Sequence, residues 1–265
     1  MTSSTVGLPA GARMPAGFVG HGSPRTAENE EKAALWKLWG SNLPEPRAIL
    51  VVSAHWEEGP LTLGRTDTHA ELLYDFSGFP EELYRLQYPA PGAPLLADQV
   101  ESLLAERWTV ARVDRPLDHG AWMPLRHMFP EPRIPVLQIS MPSIFSDQKL
   151  YDLGKALQPL RDEGVLLLGS GNIVHDIRLP SAQRPKQPGY AVMFDWWVRD
   201  ALEHRDDIAL VDWTRQGPMP HESHPTPEHF RPLLFVLGSS QDERVAFPID
   251  GFEHGTVSLR CAQFG

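Results

Sequence analysis

The chain has 265 residues, 42% hydrophobic and 22% charged, an ordinary globular composition with room for a sizeable core. Its net charge of −10, from 24 basic and 34 acidic residues without a basic cluster, argues against nucleic acid or an anionic membrane as partner. A single cysteine, Cys261, excludes an internal disulfide and any cysteine-rich zinc site, while eleven histidines point to nitrogen ligation if a metal is held.

Met1 to Gly17 lacks the apolar stretch of a signal peptide, and no run approaches the ~18 apolar residues of a membrane span. The expectation is a cytoplasmic protein with a flexible stretch over 1–15 and one domain over 16–265. The first motif follows at once, Phe18-Val19-Gly20-His21-Gly22-Ser23-Pro24. A short apolar strand ends in a histidine between glycines that permit a tight turn, and Pro24 stops the ladder. The pattern predicts a helix from Thr26 to Leu38, then a strand over Ala48 to Val52, whose continuous apolar run suits burial on both faces. That strand runs into Ser53-Ala54-His55-Trp56-Glu57.

Leu61 to Leu63 reads as a short strand, and Tyr74 to Pro80 and Tyr88 to Gly92 as aromatic loops around a helical piece at Glu81 to Leu86. A helix over Ala93 to Glu106 and a strand over Thr109 to Val113 lead to Asp118-His119-Gly120-Ala121-Trp122, read as a turn. Val136 to Ser140 is a further strand, and Asp147, as N-cap, opens a helix to Leu160. Val165 to Gly169 is the next buried strand, ending in Ser170-Gly171-Asn172-Ile173-Val174-His175. A helix over Tyr190 to His204 buries Val192, Trp196, Trp197 and Leu202. In Ser223-His224-Pro225-Thr226-Pro227-Glu228-His229-Phe230, Thr226 fits an N-cap and Pro227 the first helical position, setting His229 in the first turn of a helix to Gly238. Thr256 to Phe264 reads as an edge strand. Strands alternating with helices predict a single α/β domain, a mixed central sheet flanked by helices.

His21, His55 and His175 each follow an apolar strand directly. Ends of neighbouring strands share one rim ~5 Å apart, where α/β sheets place their ligands. Metal–nitrogen bonds of ~2.0–2.1 Å suit such convergence, and His119 and His229 occupy comparable positions. The residues thus point to a mononuclear histidine-rich metal site at strand C-terminal ends. Rival chemistries lack their motifs: there is no P-loop, no Gly-x-Ser-x-Gly elbow, no His-Glu-x-x-His, and Gly169-Ser170-Gly171 lacks the last glycine of a dinucleotide fingerprint. Ser23 and Ser170 read as turn residues.

Six blocks together resemble the 4,5-DOPA extradiol dioxygenase-like proteins, within the class III extradiol ring-cleavage dioxygenases. They are Gly20 to Pro24, Ser53 to Glu57, Asp75 to Pro80, Asp118 to Trp122, Gly169 to His175 and His224 to Phe230, in order along nearly the whole chain. The resemblance implies one Fe(II) or Zn(II) per chain, held by His21, His55 and His229, with His175 as acid/base residue and candidate fourth ligand. His224 is the alternative third ligand and otherwise a substrate contact. Glu228 and Glu57 rank below the histidines, a departure from the usual two-histidine, one-carboxylate iron triad. His119 would help handle dioxygen and substrate, and Phe76, Phe79 and Trp122 would wall the ring pocket. Apart from the resemblance, Arg178 is equally a candidate for a substrate carboxylate or for a surface role. The implied partners are a small aromatic diol and O2, and the implied assembly a monomer or small homo-oligomer. The implied reaction inserts both oxygen atoms into a catechol such as L-DOPA. The competing reading is a non-redox zinc protein on the same fold, a hydrolase or a metal-organised binding protein.

Overall fold

The computed structural model describes residues 12–265. Among them ten strands form, β1 (Ala16–Gly20), β2 (Ala48–Ser53), β3 (Thr62–Leu63), β4 (Ala111–Arg112), β5 (Val136–Ile139), β6 (Val165–Gly171), β7 (Val245–Ala246), β8 (Phe252–Glu253), β9 (Val257–Ser258) and β10 (Ala262–Phe264). Eight of them make one mixed sheet in the order β4-β3-β5-β2-β6-β1-β10-β7, and β8 pairs with β9 apart from it. The centre, β5-β2-β6-β1, is parallel; β3 and β10 run antiparallel to β5 and β1.

Nine helices accompany them among the described residues: α1 (Glu30–Asn42), α2 (Pro94–Leu104), α3 (His119–Met128), α4 (Asp147–Leu157), α5 (Gly189–His204), α6 (Asp207–Val211), α7 (Trp213–Gln216), α8 (Pro220–Ser223) and α9 (Arg231–Ser239). The apolar runs of the sequence explain the layering. Side chains alternate across a strand, so Ala48, Leu50 and Val52 of β2 join Val165 and Leu167 of β6 in a core with α2, α4, α5 and α9. Ile49, Val51, Leu166 and Leu168 face the other way, onto Trp36 and Trp39 of α1 and Ala121, Trp122 and Leu125 of α3. A strand apolar on both faces needs cover on both, and the helices supply it. No helix among the described residues is long and apolar enough to cross a membrane.

Several local expectations are corrected. His119 is not in a turn: it is the first residue of α3, with the Asp118 carboxylate capping the Ala121 N–H at 3.2 Å. His229 lies in a turn before α9, which begins only at Arg231 with Pro232 in its first turn. Asn29 caps α1 after a short 3-10 turn at Pro24–Glu28, and Ser146, not Asp147, caps α4. On α5 Trp196 is 65% exposed, and Phe194, Val198 and Leu202 are buried. β10 is no edge strand, since β1 and β7 flank it, and β7 takes the edge. Of the stretch expected to be flexible, 1–11 lie outside the described residues. Beyond them Arg13 pairs with Asp162 at 2.7 Å and Met14 is fully buried, so order begins before residue 16.

Candidate metal centre and active site

β1, β2 and β6 bring their carboxyl ends to one rim. His21 follows β1 and extends its pairing, its N–H donating to the Gly171 carbonyl at 3.0 Å. Gly22 then takes φ +66°, a left-handed conformation that bends the chain off the sheet. His55 lies in the turn after β2, where the Trp56 N–H donates to the Ser53 carbonyl at 3.2 Å. At the end of β6 the chain touches the loop before α9: a Cβ on Gly171 would lie 2.1 Å from the His229 carbonyl oxygen, which accepts the Asn172 N–H at 2.9 Å. Only a glycine admits that approach, and it carries His229 to the rim.

His21, His55 and His229 converge, with ring centroids 5.0–5.3 Å apart and one nitrogen from each within 4.8 Å of the others. Two hydrogen bonds and one charge contact set which nitrogen is free. Ser170 Oγ has one proton, which it gives to the Gly120 carbonyl, so it accepts from His21 Nδ1–H at 2.9 Å. The Asp75 carboxylate lies 3.4 Å from His55 Nδ1, and the Glu228 carboxylate 3.0 Å from His229 Nδ1. The Glu228 carboxylate accepts from His229 Nδ1–H, and the Asp75 charge favours the proton on His55 Nδ1, which leaves each Nε2 a lone pair. The Nε2 atoms of His21 and His55 stand 3.2 Å apart. Two lone pairs at that distance repel unless a cation lies between them. Three neutral imidazoles, each oriented through its far nitrogen, form a donor set that fits a divalent transition metal.

Burial keeps the rings neutral. It and the charges of neighbouring histidines hold His21 and His229 well below the usual imidazole range. Burial, then His119, brings His55 to about 4; burial, then His224, His55 and Arg184, brings His175 to about 3. His175 stacks on His229 with centroids 3.5 Å apart and planes 13° from parallel. Its ring makes no hydrogen bond among the described residues, so a nitrogen lone pair stays available beside the metal donors. His119 donates from Nδ1 to Asp75 at 3.0 Å, and its ring lies 4.0 Å from that of His55. Burial opposes ionisation of Asp75, but hydrogen bonds and charge interactions with His119 and His55 outweigh it and hold the carboxyl at about 2.

These groups line a cavity of about 350 Å³ together with Phe76, Phe79, Ile177, Val257, Ser23 and Arg184. Phe76 meets Phe79 and His119 edge-on at 5.4 and 5.3 Å. Three expected contacts do not reach it. His224 donates from Nε2 to the Ile173 carbonyl at 2.7 Å and packs among Phe194, Trp213 and Phe230, so it belongs neither to the donor set nor to the cavity wall. Trp122 is fully buried beneath the sheet, donating to the Leu73 carbonyl, and supports Tyr74 of the aromatic loop from behind. Arg178 pairs through Nε and Nη2 with Asp176 at 2.8 and 2.9 Å. Conversely, sequence reasoning missed Asp75, Ser170 and Arg184. The partners of Ser170 and Asp75 lie far along the chain, Arg184 sits in a polar loop, and only the carboxylate of Asp75, at the head of an aromatic loop, gave a local signal. Glu57 is held by Arg231 at 2.7 Å, outside the donor set.

Comparison with known proteins agrees with this geometry. Residues 27–265 match the family described as the catalytic LigB subunit of aromatic ring-opening dioxygenase. The chain is 38% identical over 267 residues to the 4,5-DOPA dioxygenase extradiol of Escherichia coli K12, covering 96% of this chain and 95% of that one. It is equally 38% identical, over 256 residues, to the 4,5-DOPA dioxygenase extradiol of Beta vulgaris, covering 93% and 95%. The crystal structure of an uncharacterised Escherichia coli K12 protein superposes with a TM-score of 0.77 at 34% identity, over 96% of this chain and all of that one. With the strand-end rim, the histidine set and a match spanning most of its length, the chain belongs to the family of the catalytic LigB subunit of aromatic ring-opening dioxygenases and is an enzyme of that class.

Proposed function

We propose that the enzyme opens the ring of a catechol in the extradiol position at one metal ion held by Nε2 of His21, His55 and His229. The observation that carries this reading is the convergence of three neutral imidazole lone pairs beside an unbonded fourth ring, His175. Ferrous iron, when bound, supplies acidification of the catechol hydroxyls and an electron path between ring and dioxygen.

The protein's own residues do the rest. Phe76, Phe79, Ile177 and Val257 give the cavity apolar walls that flank a planar ring and exclude water. His175, neutral at pH 7, accepts a hydroxyl proton on its free nitrogen and returns it later in the cycle. Asp75 anchors Nδ1–H of His119, so that ring offers its Nε2 lone pair to a proton near the bound diol. The same donors suit zinc, which has no redox chemistry. Protein stripped of metal and reloaded anaerobically with Fe(II) is expected to consume oxygen with catechols, L-DOPA included, and to give a yellow ring-opened product; the Zn(II) form is expected to do neither. No uptake by protein holding one iron per chain would overturn the reading in favour of a non-redox zinc protein.

A further inference from the structure

Arg184 stands out in the cavity wall. Apart from the histidines it is the one basic side chain there among the described residues. It sits in the loop after a short 3-10 turn, Ser181–Gln183, and its Nε–H donates to the Leu179 carbonyl at 2.8 Å. That bond anchors the guanidinium by one edge. Its two terminal nitrogens have no carboxylate or carbonyl partner among the described residues. Arg178 in the same loop is different, its fork closed on Asp176. In a chain of net charge −10, an uncommitted guanidinium at the mouth of a buried site is a local attraction for an anion.

The cavity narrows the choice of anion. Its volume suits one ring with a short substituent, and a single guanidinium fork matches the planar geometry of a carboxylate. The acidic groups of the wall are already engaged: Asp75 with His119 and His55, Glu228 with His229 and Thr226. Among the described residues each carboxylate of the wall already holds a histidine ring, so none stands unpartnered as a dedicated site for an ammonium group.

We propose that Arg184 binds the carboxylate of an acidic catechol, one bearing a short carboxyl-terminated side chain, and that the site recognises the acid without recognising an amino group. The proposal rests on the ring-cleavage reading above. Arg184 acts on specificity, away from the bond that breaks.

The test compares 3-(3,4-dihydroxyphenyl)propionate, 4-ethylcatechol and L-DOPA on the wild type, Arg184→Gln and Arg184→Lys. For the Fe(II) enzymes, Arg184→Gln is expected to raise KM for the propionate roughly tenfold or more and to leave KM for 4-ethylcatechol within about twofold. Arg184→Lys should recover part of the loss, and the wild type should take the propionate and L-DOPA with KM values within about threefold. For the Zn(II) forms, which cannot turn the catechols over, calorimetric Kd values should show the same split between acid and neutral ligand. Equal losses for both ligands in Arg184→Gln, or no change for either, would overturn the assignment of Arg184 while leaving ring cleavage standing. A wild-type preference for L-DOPA of more than about tenfold would overturn the claim that the amino group goes unrecognised. Neither turnover nor binding of any catechol by wild type would bring down the ring-cleavage reading, and this one with it.

Discussion

His21 and His224 are buried alike, at 1% and 2% exposure, and burial pushes the proton off both rings. Each uses one nitrogen in a hydrogen bond, to Ser170 in the first case and to the Ile173 carbonyl in the second. They differ in what the remaining nitrogen meets. Nε2 of His21 faces Nε2 of His55 across 3.2 Å, with a nitrogen of His229 close by. Nδ1 of His224 meets no hydrogen-bond partner among the described residues, inside a box of Phe194, Trp213 and Phe230. Burial and a depressed pKa are therefore common to a proposed ligand and to a core residue. Convergence of lone pairs separates them, and substitutions at the two places should separate them too.

The largest effect is expected at the rim. His55→Ala removes one of three donors, so bound metal should fall from about one per chain to under about a tenth, with ring cleavage lost; metal analysis of the purified variant checks this. Full metal content would erase the distinction drawn here. Next is His175→Gln, which spares the donors but removes the base: metal content should hold while kcat falls by about 10²–10⁴, read from steady-state oxygen uptake. Ser170→Ala sharpens the comparison, because it leaves His21 Nδ1 as unsupported as His224 Nδ1. Its metal Kd, from competition with a chelator, should rise about 10–100-fold. The smallest effect belongs to the box. His224→Phe should leave metal content unchanged and cost about 1–3 kcal/mol through the orphaned Ile173 carbonyl, a Tm loss of several degrees by calorimetry.

The sheet and the rim were legible in the sequence because buried parallel strands are written as unbroken apolar runs, and a histidine ending such a run has few places to go. That reasoning singled out His21, His55 and His175, which the structure brings to one cavity. It did not separate His224 from His229, five residues apart in one motif. The chain turns between them, and the close approach at Gly171 decides which ring reaches the rim. Ser170 looked like a turn residue because its role depends on His21, 149 positions earlier. Asp75 likewise acts on His119, 44 positions later. Trp122 was read as a pocket wall because its block lies beside His119; the start of α3 at that histidine turns the indole into the core instead. Arg184 sits in a polar loop where nothing local distinguishes it from Arg178.

The place of β1 between β6 and β10 has a consequence for how the protein is made. Within this chain the strand carrying His21 precedes by far the sheet partners that hold it. Ser170, which sets the His21 tautomer, follows by 149 residues, and Cys261 of the adjoining stretch lies 241 residues beyond Gly20. Contacts so distant in sequence form slowly and late. A nascent chain therefore carries His21 unassembled until those later residues are made, and loading of the proposed ion belongs after them.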